Sequence, residues 1–122
     1  MKTSEALEKA WALIDSPKKW TQNAFARDKS GRELYVTLSG QLQDDRVGAG
    51  HACFCAKGAV RYACKDHVLA IEAEKALAEA VKAVEGDRVH EGVMVFNDSH
   101  THQELKEVWH IAIAKAKEQE TP

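Results

Sequence analysis

All three cysteines and all six histidines of this 122-residue chain fall between His51 and His110, and the first fifty residues hold neither type. These side chains bind transition metals, attack electrophiles as thiolates and carry protons near neutral pH. Zinc is the first chemistry the skew suggests, with His51, Cys53, Cys55, Cys64 and His67 as ligands and His100 and His102 in reserve. A tetrahedral site needs such groups to converge on one point. Residues 51–64 read as a helix, on which Cys53 and Cys55 point about 200° apart. Cys55 and Cys64 also face opposite ways, while Cys53 and Cys64 share a face about three turns apart. Only His51 with Cys55 and Cys64 with His67 stand at neighbour spacing. No paired C-x-x-C knuckle is present. We therefore expect no metal site and no cofactor, and cysteines that fill the core as small apolar groups.

A nucleophile is the second chemistry. Cys55 stands near the start of the predicted helix, where the helix dipole favours a thiolate. His90, His100 or His102 could act as base, with Asn97 or Asp98 orienting it. The catalytic reading is thus Cys55, His90 and Asp98 in a small hydrolase or transferase. The plainer reading puts Cys55 in a core gap against the first helix. Asn97-Asp98-Ser99 carries a similar double reading. These residues form turns and caps ahead of the last helix, or Asn97 and Asp98 point into a ligand pocket. His67, His90 and His110 read as exposed or satisfied histidines, and Trp11, Trp20 and Trp109 as core.

The elements that would position these groups follow from periodicity. Leu7, Ala10, Trp11 and Ile14 make one apolar stripe on a helix over 4–15, capped by Thr3 or Ser4 and stopped by Ser16-Pro17. Trp20 should pack back under it. Residues 25–37 read as a β-hairpin whose turn uses Gly31 at positive φ. Residues 39–50 form a polar loop with three glycines. Asp66 caps a helix over 67–84 with the stripe Leu69, Ala73, Leu77, Ala80 and Val84, ended by Gly86. Val93–Phe96 reads as a strand or buried connector. Thr101 and Glu104 form a capping box opening a helix over 101–117, with Leu105, Val108, Trp109, Ala112, Ile113 and Ala116 on one face. The expected fold is a single α+β domain over 1–122, mostly helical, with about four helices in one core and a short antiparallel hairpin.

Composition narrows the partners. Seventeen basic against nineteen acidic residues leave a formal charge of -2 with no basic patch, so nucleic acid is not expected. No stretch approaches the ~20 apolar residues of a membrane span, and the charged N-terminus is unlike a signal peptide. Three cysteines argue for a reducing, cytoplasmic setting. Ala73, Ala76 and Ala80 would permit close helix approach in a homodimer, or face inward in a monomer.

Several motifs come in a recognisable order: Trp20-Thr21-Gln22, Ala26-Arg27-Asp28 with Gly31, Phe54-Cys55-Ala56-Lys57-Gly58-Ala59-Val60, and Phe96-Asn97-Asp98 followed by Thr101 and Glu104. Together they resemble an uncharacterised domain family of small bacterial and bacteriophage proteins, over Leu7 to about Lys115. Phe96 stands where that family's pattern has Trp. The resemblance implies an architecture and a bacterial or phage setting, and marks Arg27, Asp28, Cys55, Asn97 and Asp98 as the positions to test, with Arg27, Asp28, Asn97 and Asp98 as ligand-binding candidates. It assigns no reaction. The expected function is a non-enzymatic binding or accessory protein acting on a small molecule or a host protein. The cysteine-dependent enzyme is the alternative, and a zinc-binding module the third reading.

Overall fold

A computed structural model of the chain describes residues 1–42, 51–86 and 92–121. Five α-helices and three short strands occur among the described residues. Helix α1 (Thr3–Ile14) buries Ala6, Leu7, Ala10 and Ile14, while Trp11 rides its flank. It starts one residue before the expected helix, so Thr3 and Ser4 lie inside its first turn and do not cap it. Glu5 instead accepts the Lys2 N–H at 2.9 Å. Thr3 donates to Glu72, and Ser4 donates from its N–H and hydroxyl to Glu120 near the end of the chain.

The hairpin forms from β1 (Ala26–Asp28) and β2 (Glu33–Leu34), antiparallel, with Ala26 opposite Leu34 and Arg27 opposite Glu33. Its turn is organised by Asp28, whose Oδ1 accepts from the Ser30 N–H, the Ser30 hydroxyl and the Arg32 N–H. Gly31 takes φ 89°, as expected of a glycine in this turn. Val36 lies beyond β2 and forms an isolated bridge with Leu42. Only Ser39 to Leu42 of the expected 39–50 loop are described; 43–50 lie outside the described residues.

The single helix expected over 51–64 is incorrect. Residues His51–Phe54 form β3, antiparallel to β1 on its other edge, so the sheet order is β2-β1-β3. Helix α2 begins only at Ala56 and ends at Cys64. The physical reason is non-local. The outer edge of β1 carries unpaired backbone groups, and an extended 51–54 satisfies them. The helical-spacing argument applied to Cys53 therefore has no helix to act on.

Helix α3 (His67–Glu85) is capped by Asp66, which accepts from the Val68 and Leu69 N–H groups, and it ends at Gly86. Its buried line is Ala70, Ala73, Leu77, Ala80 and Val81. Leu69 is only partly buried and Val84 exposed, so at its two ends the expected stripe gives way to Ala70 and Val81. Ala73 and Ala80 face inward.

Val93–Ser99 is helix α4, not a strand or connector. Val93, Phe96 and Asn97 point inward at i, i+3, i+4, and Val95 faces solvent. A short apolar run fits either periodicity, and here the inward set is the helical one. Helix α5 (His102–Glu120) opens with the expected capping box and runs three residues past the expected end. Trp109, fully buried, donates from Nε1 to the Leu7 carbonyl at 2.7 Å and so ties α5 to α1. One core cluster gathers the inward faces of α1, α2, α3, α4 and α5 together with Ala26, Leu34 and Phe54 of the sheet.

Candidate functional site

The segment 20–23, the N-terminus of α2 and the second half of α4 are held together by one hydrogen-bond network. Asn97 is its centre and is fully buried. Its Oδ1 accepts from the Trp20 indole N–H at 2.7 Å and from the Ala56 backbone N–H at 2.9 Å. Its Nδ2 donates to the Thr21 carbonyl and to Asp98 Oδ1. All four hydrogen-bonding positions of the amide, two acceptor and two donor, are thereby used. Asp98 Oδ1 also accepts the Asn23 N–H at 2.8 Å. Asn23 sits at φ 63°, a left-handed backbone that asparagine tolerates better than most residues.

Gln22 and Arg27 extend the network. Gln22 Nε2 donates to the carbonyls of Asn97 and His100, both at 3.0 Å. Arg27 donates from Nε to the Thr21 hydroxyl, from Nη1 to the Gly31 carbonyl and from Nη2 to the Gln22 carbonyl. Its nearest carboxylate, Glu33, is 3.8 Å away. Asp28 is buried in its own turn, where the Ser30 hydroxyl chiefly holds its carboxyl below the ordinary value. Arg27, Asn97 and Asp98 thus belong to one constellation through Thr21 and Gln22. Asp28 stands apart from it, engaged by the hairpin turn.

Cys55 is the N-cap of α2. Its Sγ accepts the Gly58 N–H at 3.3 Å, and its own N–H donates to the Phe25 carbonyl. The thiol is closed to solvent and 4.0 Å from the Met94 sulfur. Burial pushes its pKa up to about 11 against the pull of the Gly58 and Lys57 N–H groups, and the Asp98 charge adds to the rise. The helix starts five residues later than expected, which leaves Cys55 as its N-cap, and the thiol is held neutral at physiological pH. His90 lies outside the described residues. His100 stacks on Phe96 and contacts Glu85 through Nε2. His102 stacks on Trp11 and contacts the Ile14 carbonyl through Nε2. No group of three His, Cys, Asp or Glu side chains that could hold a metal occurs among the described residues.

The network's outer side opens on a groove of about 510 Å³ between the hairpin and α4, lined by Asn23, Phe25, Leu34, Tyr35, Met94 and the carboxylates Glu33 and Asp98, with Ala24. Tyr35 is half-exposed and meets Phe25 edge-on at 4.9 Å. Asp98 Oδ2 makes no hydrogen bond with the described residues. Tyr35 and Met94 were not singled out as site residues in the sequence, nor were Thr21 and Gln22 beyond their place in a motif. Their one signal was position: Gln22 and Thr21 adjoin Trp20, and Met94 shortly precedes Asn97.

Fold and network together define a class: a small, mostly helical α+β protein in which a three-stranded antiparallel sheet is tied to the helices by a buried asparagine. A family model, a family of unknown function (DUF6197), matches residues 1–115, and the chain belongs to that family. No curated protein and no solved structure is matched by the chain. No helix is long and apolar enough to cross a membrane among the described residues.

Proposed function

We propose that the chain is a non-enzymatic, cytoplasmic binding protein of bacterial or phage origin, which holds a small ligand carrying a cation on an aromatic or alkyl body. The observation that carries this reading is the groove between the hairpin and α4. Its walls are aromatic and aliphatic, and among the described residues its charged groups are two carboxylates and no cationic side chain lines it. An ammonium or guanidinium group would meet the unused Asp98 Oδ2, and its apolar body would lie on Tyr35, Phe25 and Met94. The buried network behind the groove keeps Asp98 in place without using up its outer oxygen.

The cysteine-dependent reaction has less support. A thiol closed to solvent with a raised pKa lacks both the access and the thiolate fraction that attack requires.

Thermal unfolding with phenethylamine tests the reading, with neutral phenethyl alcohol and anionic phenylacetate as controls. The amine should raise Tm saturably while the two controls leave it unchanged. Asp98→Asn and Tyr35→Ala should each remove the effect. An equal response to all three compounds, or an amine response indifferent to both substitutions, would sink it.

A further inference from the structure

A second groove, of about 390 Å³, lies where α2, α3 and the start of α4 meet, and shares Met94 with the first. Arg61 of α2 reaches it, and that arginine is peculiar. The residue is only 7% exposed. Its Nη1 donates to the Val36 carbonyl at 3.0 Å, and its guanidinium lies over the Phe25 ring at 4.8 Å. Nε is closed to solvent and has no hydrogen-bond partner among the described residues. Nη2 makes no hydrogen bond with them either, and no described carboxylate pairs with Arg61. A buried guanidinium without a counter-charge is costly, and so is each buried N–H without an acceptor.

The geometry of what is left free is informative. One face of the guanidinium is covered by Phe25 and one corner is anchored by Val36. The remaining edge, Nε with Nη2, is the one that pairs side by side with two oxygens of a single oxyanion. Lys57 and Lys75 line the same groove, against one carboxylate, Glu74, which sits 3.5 Å from Lys57. We propose that this groove is a binding site for a carboxylate- or phosphate-bearing small molecule, with the Nε–Nη2 edge of Arg61 as its fork and Lys57 and Lys75 as flanking cations. The oxyanion meets Nη2 first, and reaches Nε once Leu38 and Met94, apolar side chains lining the groove, change rotamer. This site does not depend on the amine groove and can hold where that one fails.

The test is an NMR titration of the arginine Nε–Hε resonances with sodium acetate and, separately, sodium phosphate, at constant ionic strength set by sodium chloride. The Arg61 resonance should move downfield and saturate. Lys57→Ala with Lys75→Ala should weaken the apparent affinity about threefold to tenfold, and Arg61→Lys, which keeps the charge without the fork, should weaken it further. Response to acetate alone assigns a carboxylate ligand, response to phosphate alone a phosphate ligand, and response to both the shared oxyanion chemistry. The wild-type titration stands even where an Arg61 variant folds poorly. The proposal is overturned if neither anion moves the resonance. It is equally overturned if chloride moves it as much, or if Glu74→Gln in anion-free buffer shifts it while acetate and phosphate do nothing, since Glu74 would then be its partner.

Discussion

The indole N–H of Trp20 donates to Asn97 Oδ1 at 2.7 Å, joining residues 77 positions apart inside the protein. The same oxygen takes the Ala56 N–H at the start of α2. One buried side chain thus orders the 20–23 segment, the entry to α2 and the second half of α4. Asn97→Ala would leave the Trp20 and Ala56 donors without an acceptor in a dry site. We expect a loss of about 3 kcal/mol by urea unfolding. Asn97→Asp retains the acceptor but adds a carboxylate against Asp98, so its stability should fall as pH rises through the carboxylate range. A loss below ~1 kcal/mol for the alanine variant would show that the network is slack.

Cys55 imposes an alkaline limit. Its pKa is about 11 in the folded protein against 9.0 for a free thiol, because burial favours the neutral form. That contribution is fully present below pH 9 and disappears as pH rises through 11. The gap is worth about 3 kcal/mol by linkage. The difference in unfolding free energy between wild type and Cys55→Ala should therefore shrink across that window. In the native protein iodoacetamide should modify the half-buried Cys53 before Cys55. Rapid labelling of Cys55 at neutral pH would contradict the buried, neutral thiol.

Two glycines should respond differently to alanine. A Cβ on Gly58 would lie 2.0 Å from the Phe25 carbonyl oxygen, a backbone atom that moves only with β1. Gly58→Ala should cost about 3 kcal/mol or more. Gly31 has open space around it, so Gly31→Ala meets only the strain of φ 89° and should cost about 1 kcal/mol. Comparable midpoints for the two variants in chemical denaturation would show that α2 is not tightly held against the Phe25 backbone.

Carboxylates set the acid limit. Asp28, Glu104 and Glu120 are each held below the ordinary value, chiefly by the Ser30 hydroxyl, the Thr101 N–H and the Ser4 hydroxyl respectively. Their contribution is present above the unfolded carboxylate range and is lost as pH falls through the lowered folded values. Ser30→Ala should move the Asp28 titration, read by carbon NMR, up toward 3.8, the ordinary value. An unmoved titration would shift the cause to the Ser30 and Arg32 N–H groups of the turn. Thr101→Ala should cost about 1 kcal/mol as the loss of a helix cap.

The helices with strong local signals were legible in the sequence. Asp66 ahead of α3 and Thr101 with Glu104 ahead of α5 cap where the spacing says, because a cap is a contact between residues two or three apart. The core faces of α1 and α5 followed from apolar periodicity for the same local reason. His51–Phe54 was misread because its strand exists only as the partner of β1, more than twenty positions earlier. Cys55 was read inside a helix beginning at His51, whereas it caps one beginning at Ala56; a thiol is not an ordinary cap residue, so its hydrogen bond to Gly58 had no visible signal.

The candidate site divides in the same way. Residue types and their order marked Arg27, Cys55, Asn97 and Asp98, but the start of α2 beside Cys55 and the helical state of α4 around Asn97 and Asp98 were not legible. Which atoms remained free was decided only by tertiary packing. Burial gave Asn97 four partners and turned it into a tie; it raised the Cys55 thiol, and it left the Asp98 Oδ2 and the Arg61 Nε–Nη2 edge without partners among the described residues. Hydrogen bonding and desolvation depend on neighbours brought from across the chain, and neither is written in the spacing of nearby residues.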